Sequence, residues 1–241
     1  MGAKIRLISQ PSLDGTGYRA GLHIALEDGW KTYWRSPGSS GLPPQISFRG
    51  SKNIAATAMR YPVPSAFDDA SGKSAGYKGD VVFPISVTPL FAGQATVLKA
   101  SGMVGICRDI CVPVPFDITL QLGETRSTSA ALARALRNAE RKVPAKPAVD
   151  GVGTVRAKLS PNKRQLTVTA TLPAGVDTAR LFVASPSLLP IDPLPAASLS
   201  GQIVTFQKTF KKPLKPRDLG REWIFVLKHG DVGVQTTVVL E

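Results

Sequence analysis

Residues 96–122, TVLKASGMVGICRDICVPVPFDITLQL, decide the fold because their apolar side chains alternate on both sides of a short turn. The first half has apolar residues at Leu98, Ala100, Val104 and Ile106, and the second half has them at Val112, Val114, Phe116, Ile118, Leu120 and Leu122. Successive side chains of a strand point to opposite faces, so each half presents one apolar face. The pattern predicts two strands joined by an Arg108-Asp109-Ile110 turn.

The same period-two alternation recurs along the chain, which is typical of an all-β protein. It covers residues 18–26, 166–172 and 223–240, and the last stretch contains a His229-Gly230-Asp231 turn that predicts a second hairpin. A Gly/Ser/Lys-rich stretch before Val81 is predicted as a loop. With 22 glycines and 20 prolines in 241 residues, turn residues separate short strands throughout. We expect two tandem immunoglobulin-like β-sandwich domains, with a single larger barrel as the alternative.

A short helical, Pro-containing connector is expected between the two domains. Thr128 or Ser129 is suited to cap a helix that runs through Leu136. The helix ends before Pro144, and the segment after it is a stiff linker. We therefore expect a first β-sandwich over residues 1–123, a connector over residues 124–147 and a second β-sandwich over residues 148–241.

The net charge of +13 comes from 30 basic and 17 acidic side chains. Residues 124–164 carry most of the excess, with 10 basic against 3 acidic side chains. This segment has neither interleaved aromatic residues nor a helix-turn-helix, so we interpret its charge as a solvated helix face and expect no nucleic-acid partner. No run approaches 18 apolar residues and no signal peptide is visible, so the sequence predicts no membrane span in this chain.

Cys107 and Cys111 are the only cysteines, and they flank the predicted turn. Both have the parity opposite to the apolar residues of their strands, so we expect both thiols on the non-core face, with a Cα separation of about 5.5 Å that allows a disulfide. Closing so short a ring contributes only about 2 kcal/mol, which makes a structural staple a weaker hypothesis than a reversible dithiol. Neighbouring Arg108 favours a Cys107 thiolate and Asp109 opposes it.

Metal binding is the alternative use of the cysteine pair. Met103, Cys107 and Cys111 share one face and offer the soft sulfur ligands that select Cu(I). Met103 precedes Cys107 by about 13 Å along one strand, which is too far for a shared ion without a bulge. The sequence contains no hydrolase or P-loop motif. A Cys/His protease would need one of the two histidines, His23, beside Cys107.

Four motifs together resemble one known family. They are GLHIALEDGWKTYWRSPG at residues 21–38, GLPP at residues 41–44, Gly76-Tyr77 ahead of Phe83-Pro84-Ile85, and Ile106-Cys107 with Cys111-Val112-Pro113. They are similar to the N-terminal periplasmic domain of DsbD-type thiol:disulfide reductases, most of all to the suppressor-of-copper-sensitivity B (ScsB) branch. The resemblance covers residues 15–123, whereas residues 148–241 match only in their place in the architecture.

The resemblance implies an immunoglobulin-like redox domain that needs neither a metal nor an organic cofactor. In that family the domain takes electrons from a membrane domain of the same protein and passes them to periplasmic thioredoxin-fold or peroxiredoxin-like proteins. The chain is then expected to be a thiol:disulfide oxidoreductase, as the periplasmic, soluble domain of an inner-membrane protein. A periplasmic copper-handling module that uses the cysteine pair as Cu(I) ligands is the alternative.

The resemblance also implies roles for individual residues. Carried over by position, Cys107 and Cys111 are the active pair, and Cys111 is favoured for bonding the partner protein. Their Cys-x3-Cys spacing is shorter than in the best-known members of the family.

A protective cap over the disulfide is a further feature of the family. Residues 65–74 resemble that cap, with Phe67 over the sulfur atoms and Asp68 near the thiols. Tyr33 and Trp34 are candidates to line the same site. An ordinary place in the core is the alternative for these three aromatic residues.

Overall fold

The computed structural model describes residues 2–12, 15–69, 72–123, 129–148 and 151–241. The chain divides into two compact units. The first comprises Met1–Trp34, Gly41–Pro62 and Gly76–Val143, and the second comprises Arg35–Ser40, Val63–Ala75 and Pro144–Glu241. The domain limits drawn from the sequence stay predictions, and residues 124–128, where the predicted connector begins, lie outside the described residues.

The secondary structure before residue 144 consists of strands followed by one described helix. The elements are β1 (Ala3–Pro11), β2 (Tyr18–Leu26), β3 (Lys31–Tyr33), β4 (Gln45–Ser47), β5 (Ile54–Met59), β6 (Ser65–Asp69), β7 (Gly72–Lys78), β8 (Asp80–Pro89), β9 (Thr96–Cys107), β10 (Cys111–Leu122) and α1 (Ala130–Arg141). The strands form a four-stranded sheet in the order β1-β2-β8-β5 and a six-stranded sheet in the order β10-β9-β3-β7-β6, with β4 paired to β9. All these pairings for which a register is defined are antiparallel.

The β9–β10 hairpin predicted from the sequence is confirmed. Its apolar positions keep the expected parity on β9, where Leu98, Ala100, Val104 and Ile106 are buried. β10 forms one edge of the six-stranded sheet, and its Pro113 and Pro115 are exposed. Proline lacks a backbone donor and is tolerated at such an edge.

The stretch predicted as a loop before Val81 is instead strand β7, so that prediction is wrong. Ser74, Ala75 and Gly76 are buried, and the strand pairs with β3 from Gly76 to Lys78. A Cβ at Gly76 would lie 2.1 Å from the carbonyl oxygen of Thr32, so the close approach of the two strands requires glycine. Small residues that usually indicate a loop are used here for tight strand packing.

The predicted helix is confirmed as α1, with Ser129 as its N-cap; the other candidate, Thr128, lies outside the described residues. The Ser129 side chain accepts a hydrogen bond from the backbone N–H of Leu132. The apolar face packs on the four-stranded sheet, where Leu136 and Ala139 join Ile8 and Val82 in a buried cluster. The helix therefore covers one face of that sheet. It lies in the predicted connector but packs as part of the first unit.

The second unit also consists mainly of antiparallel β-sheet. Its elements after residue 144 are β11 (Val155–Leu159), β12 (Gln165–Thr171), β13 (Arg180–Ala184), β14 (Leu194–Pro195), β15 (Ser198–Ser200), β16 (Ile203–Thr209), a 3-10 turn (Pro216–Asp218), β17 (Glu222–His229) and β18 (Val232–Val239). They form sheets in the orders β11-β12-β16-β15 and β14-β13-β17-β18, and the predicted hairpin β17–β18 is confirmed.

One apolar core holds the second unit together. It includes Leu166, Val168, Phe206, Trp223 and Phe225, each fully buried. The described residues therefore confirm a mostly β protein with several antiparallel sheets. None of the described helices is long and apolar enough to cross a membrane.

Candidate redox site at Cys107 and Cys111

The cysteine pair closes the β9–β10 hairpin at its turn. Cys107 is the last residue of β9, Cys111 is the first residue of β10, and the two are directly opposite each other in the ladder. They form a disulfide with a Cα separation of 4.2 Å. This distance is shorter than the expected 5.5 Å or so and is typical of the narrow, non-hydrogen-bonded pairs of an antiparallel ladder. The only two sulfur atoms suited to thiol chemistry are therefore already joined.

The two cysteine residues differ in exposure, and the prediction that both thiols face outward is wrong for Cys107. Cys107 is fully buried, whereas Cys111 is half-buried. The reason is non-local, because β3 pairs with β9 on the side away from β10 and places Lys31 directly opposite Cys107. The disulfide is therefore more open to solvent on its Cys111 side.

Tyr33 contacts both sulfur atoms of the disulfide. Its hydroxyl group donates a hydrogen bond to Cys107 Sγ at 2.8 Å and lies 3.1 Å from Cys111 Sγ. A Cβ at Gly105 would lie 3.1 Å from Tyr33 Cδ2 and 2.6 Å from Leu42 Cβ, so the ring occupies space that only glycine leaves. The hydroxyl is thus held where it can donate to a thiolate on either sulfur atom.

Lys31 is a site residue that the sequence interpretation missed. It is only 2% exposed, and its Nζ atom lies 5.9 Å from the centroid of the Tyr33 ring. The residue pairs in register with Cys107 on one side and with Lys78 on the other. The signal available in the sequence is its place two residues before Tyr33, which puts both side chains on the same face of one strand.

The comparisons with known proteins identify the family of the first part of the chain. Residues 6–121 match the family model described as thiol:disulfide interchange protein DsbD, N-terminal. This part of the chain belongs to that family. The cysteine pair, Tyr33 and Lys31 all lie within the DsbD N-terminal domain so defined. The family resemblance drawn from the motifs is confirmed.

One solved structure is similar over almost the whole chain. The N-terminal periplasmic domain of ScsB from Proteus mirabilis aligns with 99% of this chain and 93% of its own, at 23% identity and a TM-score of 0.75. The likeness shows a shared fold that extends past the DsbD N-terminal domain into the second unit. The BSP domain of a biofilm associated protein aligns at 10% identity over 100% of this chain and 51% of its own, and its TM-score of 0.28 supports no argument. No curated protein sequence matches the chain.

The two exposed charged side chains at the turn of the DsbD N-terminal domain, Arg108 and Asp109, form an ion pair with each other. Arg108 Nε donates to Asp109 Oδ2 at 3.1 Å, and both side chains are more than half exposed. The Arg108 guanidinium also lies 5.5 Å from the ring centroid of Trp30. Water screens such a pair, so neither charge dominates the environment of the sulfur atoms.

The remaining predicted site residues lie in different surroundings. Trp34 follows Tyr33 and is 1% exposed, which fits the core alternative for this residue. Phe67 and Asp68 lie on β6, Phe67 half-buried and Asp68 exposed in an ion pair with Lys73 at 3.6 Å. Their role as a cap stays a prediction.

His23 is engaged away from sulfur chemistry. Arg6 Nε donates to His23 Nδ1 at 3.0 Å, and Asp80 Oδ2 lies 3.5 Å from His23 Nε2. Burial lowers the pKa of His23 below its usual value, with a further contribution from the positive charge of Arg6, whereas Asp80 opposes the shift. Among the residues that the structure describes, no group of three His, Cys, Asp or Glu side chains is placed to hold a metal ion.

Proposed function

We propose that the DsbD N-terminal domain is a periplasmic electron relay that works through the Cys107–Cys111 dithiol. It would accept electrons from a membrane-embedded domain of its parent reductase and pass them to periplasmic thioredoxin-fold or peroxiredoxin-like proteins. One observation carries the proposal: the disulfide is half open to solvent at Cys111 while a fixed hydroxyl donor, Tyr33, contacts both sulfur atoms. A disulfide used only as a staple needs no such donor.

The geometry supports a two-step exchange in which Cys111 bonds the partner. A thiolate of the electron donor attacks Cys111 Sγ, the sulfur–sulfur bond breaks, and Cys107 leaves as a thiolate that accepts the Tyr33 hydrogen bond. The donor's second thiolate then attacks its own sulfur atom in the mixed disulfide and releases Cys111. The donor loses two electrons and becomes a disulfide, the domain gains them as a dithiol, and protons exchange with water.

Delivery to the acceptor runs through the same atoms in reverse. The Cys111 thiolate attacks the acceptor's disulfide, and the Cys107 thiolate then attacks Cys111 Sγ to release the reduced acceptor. The difference in burial supports these separate roles, because Cys107 is fully buried and Cys111 is only half-buried. The two β units are expected to be immunoglobulin-like.

A redox titration tests the proposed function without a known partner. The purified protein is equilibrated with a series of glutathione redox buffers, the free thiols are alkylated, and the intact mass is measured. We expect one two-electron transition between disulfide and dithiol within the range of known exchange proteins. A disulfide that resists reduction in every buffer would establish the structural staple instead.

The copper-handling hypothesis is tested on the same reduced sample. We expect no stoichiometric Cu(I) retention after desalting against a competing chelator. Retention that disappears when both cysteines are changed to serine, together with absent thiol exchange, would overturn the relay.

A further inference from the structure

A row of four side chains crosses the six-stranded sheet at the disulfide. Strand pairing places Lys78 opposite Lys31, Lys31 opposite Cys107, and Cys107 opposite Cys111. Directly opposite residues of antiparallel strands have Cβ atoms about 4.5–5.5 Å apart and share one face. We name these residues the lysine–cysteine row. It connects an exposed lysine, a buried lysine, a buried cysteine and a half-buried cysteine in that order.

The buried lysine is the unusual member of the row. Lysine is rarely buried to this degree, because removing an ammonium group from water is costly unless a partner compensates for it. The ring of Tyr33 contributes, since Lys31 Nζ lies 5.9 Å from its centroid, within the range of a cation–π contact. The same tyrosine donates its hydroxyl hydrogen to Cys107 Sγ. Tyr33 thus contacts Lys31 through its ring and the disulfide through its hydroxyl group.

We propose that Lys31 is a positioning residue that stabilises the thiolate formed at Cys107 when the disulfide opens. The inference rests on the proposed relay and deepens it, because it assigns the residue that stabilises Cys107 as the leaving thiolate. In the oxidised domain the sulfur atoms are neutral, and after attack on Cys111 the Cys107 sulfur carries a full negative charge. A buried cation one strand away interacts with that charge far more strongly than a solvated cation does. Lys31 therefore favours the opened state over the closed one.

The other charged groups around Cys107 contribute less. Lys78 continues the row on β7 but is exposed, and Arg108 and Asp109 are paired with each other at the exposed turn. Tyr33 supplies the hydrogen bond and keeps the ammonium group in place. Screening by water and salt acts on the three exposed groups and much less on Lys31.

Three variants and one control test this assignment by redox equilibrium and kinetics. Lys31→Met removes the charge at similar volume, Lys31→Arg retains it, and Tyr33→Phe removes only the hydroxyl. Lys99→Met is the matched control because it makes the same change on β9, on the same face as Cys107 but eight residues away, about 26 Å along the strand. Each protein is titrated with glutathione between pH 6 and pH 9, and the rate at which a small thiol opens the disulfide is measured.

We expect Lys31→Met to shift the glutathione equilibrium about tenfold towards the disulfide at pH 9, equivalent to about 30 mV, and to slow opening by a similar factor. The shift should grow with pH, because only an ionised thiol carries the charge that Lys31 stabilises. Lys31→Arg should stay within about threefold of the parent, Lys99→Met should match the parent, and Tyr33→Phe should slow opening at every pH.

The outcomes separate this inference from the relay itself. If the parent protein shows no exchange, the proposed function fails. If the parent exchanges and Lys31→Met follows the pH dependence of Lys99→Met, the relay stands and the role of Lys31 is refuted. Should Lys31→Met not fold, Lys31→Gln takes its place, and equal potentials for the Gln and Arg variants would refute the assignment.

Discussion

A lysine lies near each end of the β9–β10 hairpin, one on the neighbouring strand β3 and one on β9, and their surroundings differ. At the turn, Lys31 is 2% exposed and faces the cysteine pair from the neighbouring strand. Towards the open end, the Lys99 side chain is 34% exposed and pairs with Asp117 at 3.0 Å. A buried charge changes the energy of any charge that forms beside it, whereas an exposed ion pair is largely screened. Burial, more than the type of residue, therefore distinguishes the two lysines. Under the proposed function the turn is the reactive end of the hairpin and the open end is the inert one.

Removing either sulfur atom at the reactive end should have the largest effect. We expect Cys107→Ser and Cys111→Ser each to abolish two-electron exchange and to leave the circular dichroism spectrum unchanged, because the ring contributes only about 2 kcal/mol to stability. The single thiol left in each variant should also differ in reactivity. Cys111 in the Cys107→Ser protein should be alkylated about tenfold faster than buried Cys107 in the Cys111→Ser protein.

Asp117→Ser is the control for these cysteine variants, since it alters the inert end of the same hairpin. It should retain full exchange. Equal alkylation rates of the two single thiols would contradict the difference in burial, and exchange retained by either serine variant would contradict the pairing itself.

Crowding the space beside Tyr33 should have the next largest effect. Gly105→Ala places a Cβ 2.6 Å from Leu42 Cβ and 3.1 Å from the Tyr33 ring, so one of these neighbours must move. We expect the free energy of unfolding to fall by about 1–3 kcal/mol and the opening rate of the disulfide to change with it. Denaturant unfolding measures the first effect and thiol kinetics the second. Ser101→Ala on the same strand is the control, and a Gly105→Ala protein as stable as this control would contradict the packing.

Acid should destabilise the first unit through His23, away from both ends of the hairpin. Burial and Arg6 lower the pKa of this imidazole in the folded state, so near pH 6 the unfolded chain binds a proton that the folded chain does not. The stabilising contribution is therefore complete above the unfolded value near 6.5 and is lost as the pH falls below it. Unfolding of the parent and of His23→Gln between pH 5 and pH 8 measures this effect. An identical pH dependence in the two proteins would exclude His23 as its source.

The smallest effect is expected at the inert end of the hairpin. Lys99→Met removes an ion pair whose partner side chain is 61% exposed. Exposed pairs of this kind contribute little, so the free energy of unfolding should change by no more than about 0.5 kcal/mol. Chemical denaturation at low and high salt measures the change. A loss several times larger would mean that the two ends differ less than their burial indicates.

The sequence was sufficient for features that depend on neighbouring residues. Alternation predicted the β9–β10 hairpin and the β17–β18 hairpin, and a capping residue at Thr128 or Ser129 predicted the start of α1. Motif spacing led to the cysteine pair and to the DsbD N-terminal family. In each case the signal lies within a few residues of the structure it specifies.

Features that depend on distant parts of the chain were missed. The burial of Cys107 follows from the pairing of β9 with β3, whose residues lie more than 70 positions earlier. The burial of Lys31 was missed for the same reason, since a lysine in a short alternating segment is ordinarily solvated. β7 was mistaken for a loop because its small residues fit a tight strand contact as well as a turn.

The prolines at the edge of the six-stranded sheet limit how another protein can approach the disulfide. Pro113 and Pro115 share the parity of Cys111, whose narrow pairing with Cys107 directs backbone nitrogens away from β9 and towards the open edge. Two successive outward-facing backbone positions of that edge, Pro113 and Pro115, therefore lack a hydrogen-bond donor. A strand of another chain therefore cannot form a continuous hydrogen-bonded ladder with β10 at these two residues. This protects a reactive and partly apolar surface from edge-to-edge aggregation. Under the proposed function, recognition next to Cys111 is then left to side chains, which favours brief encounters that end after each transfer.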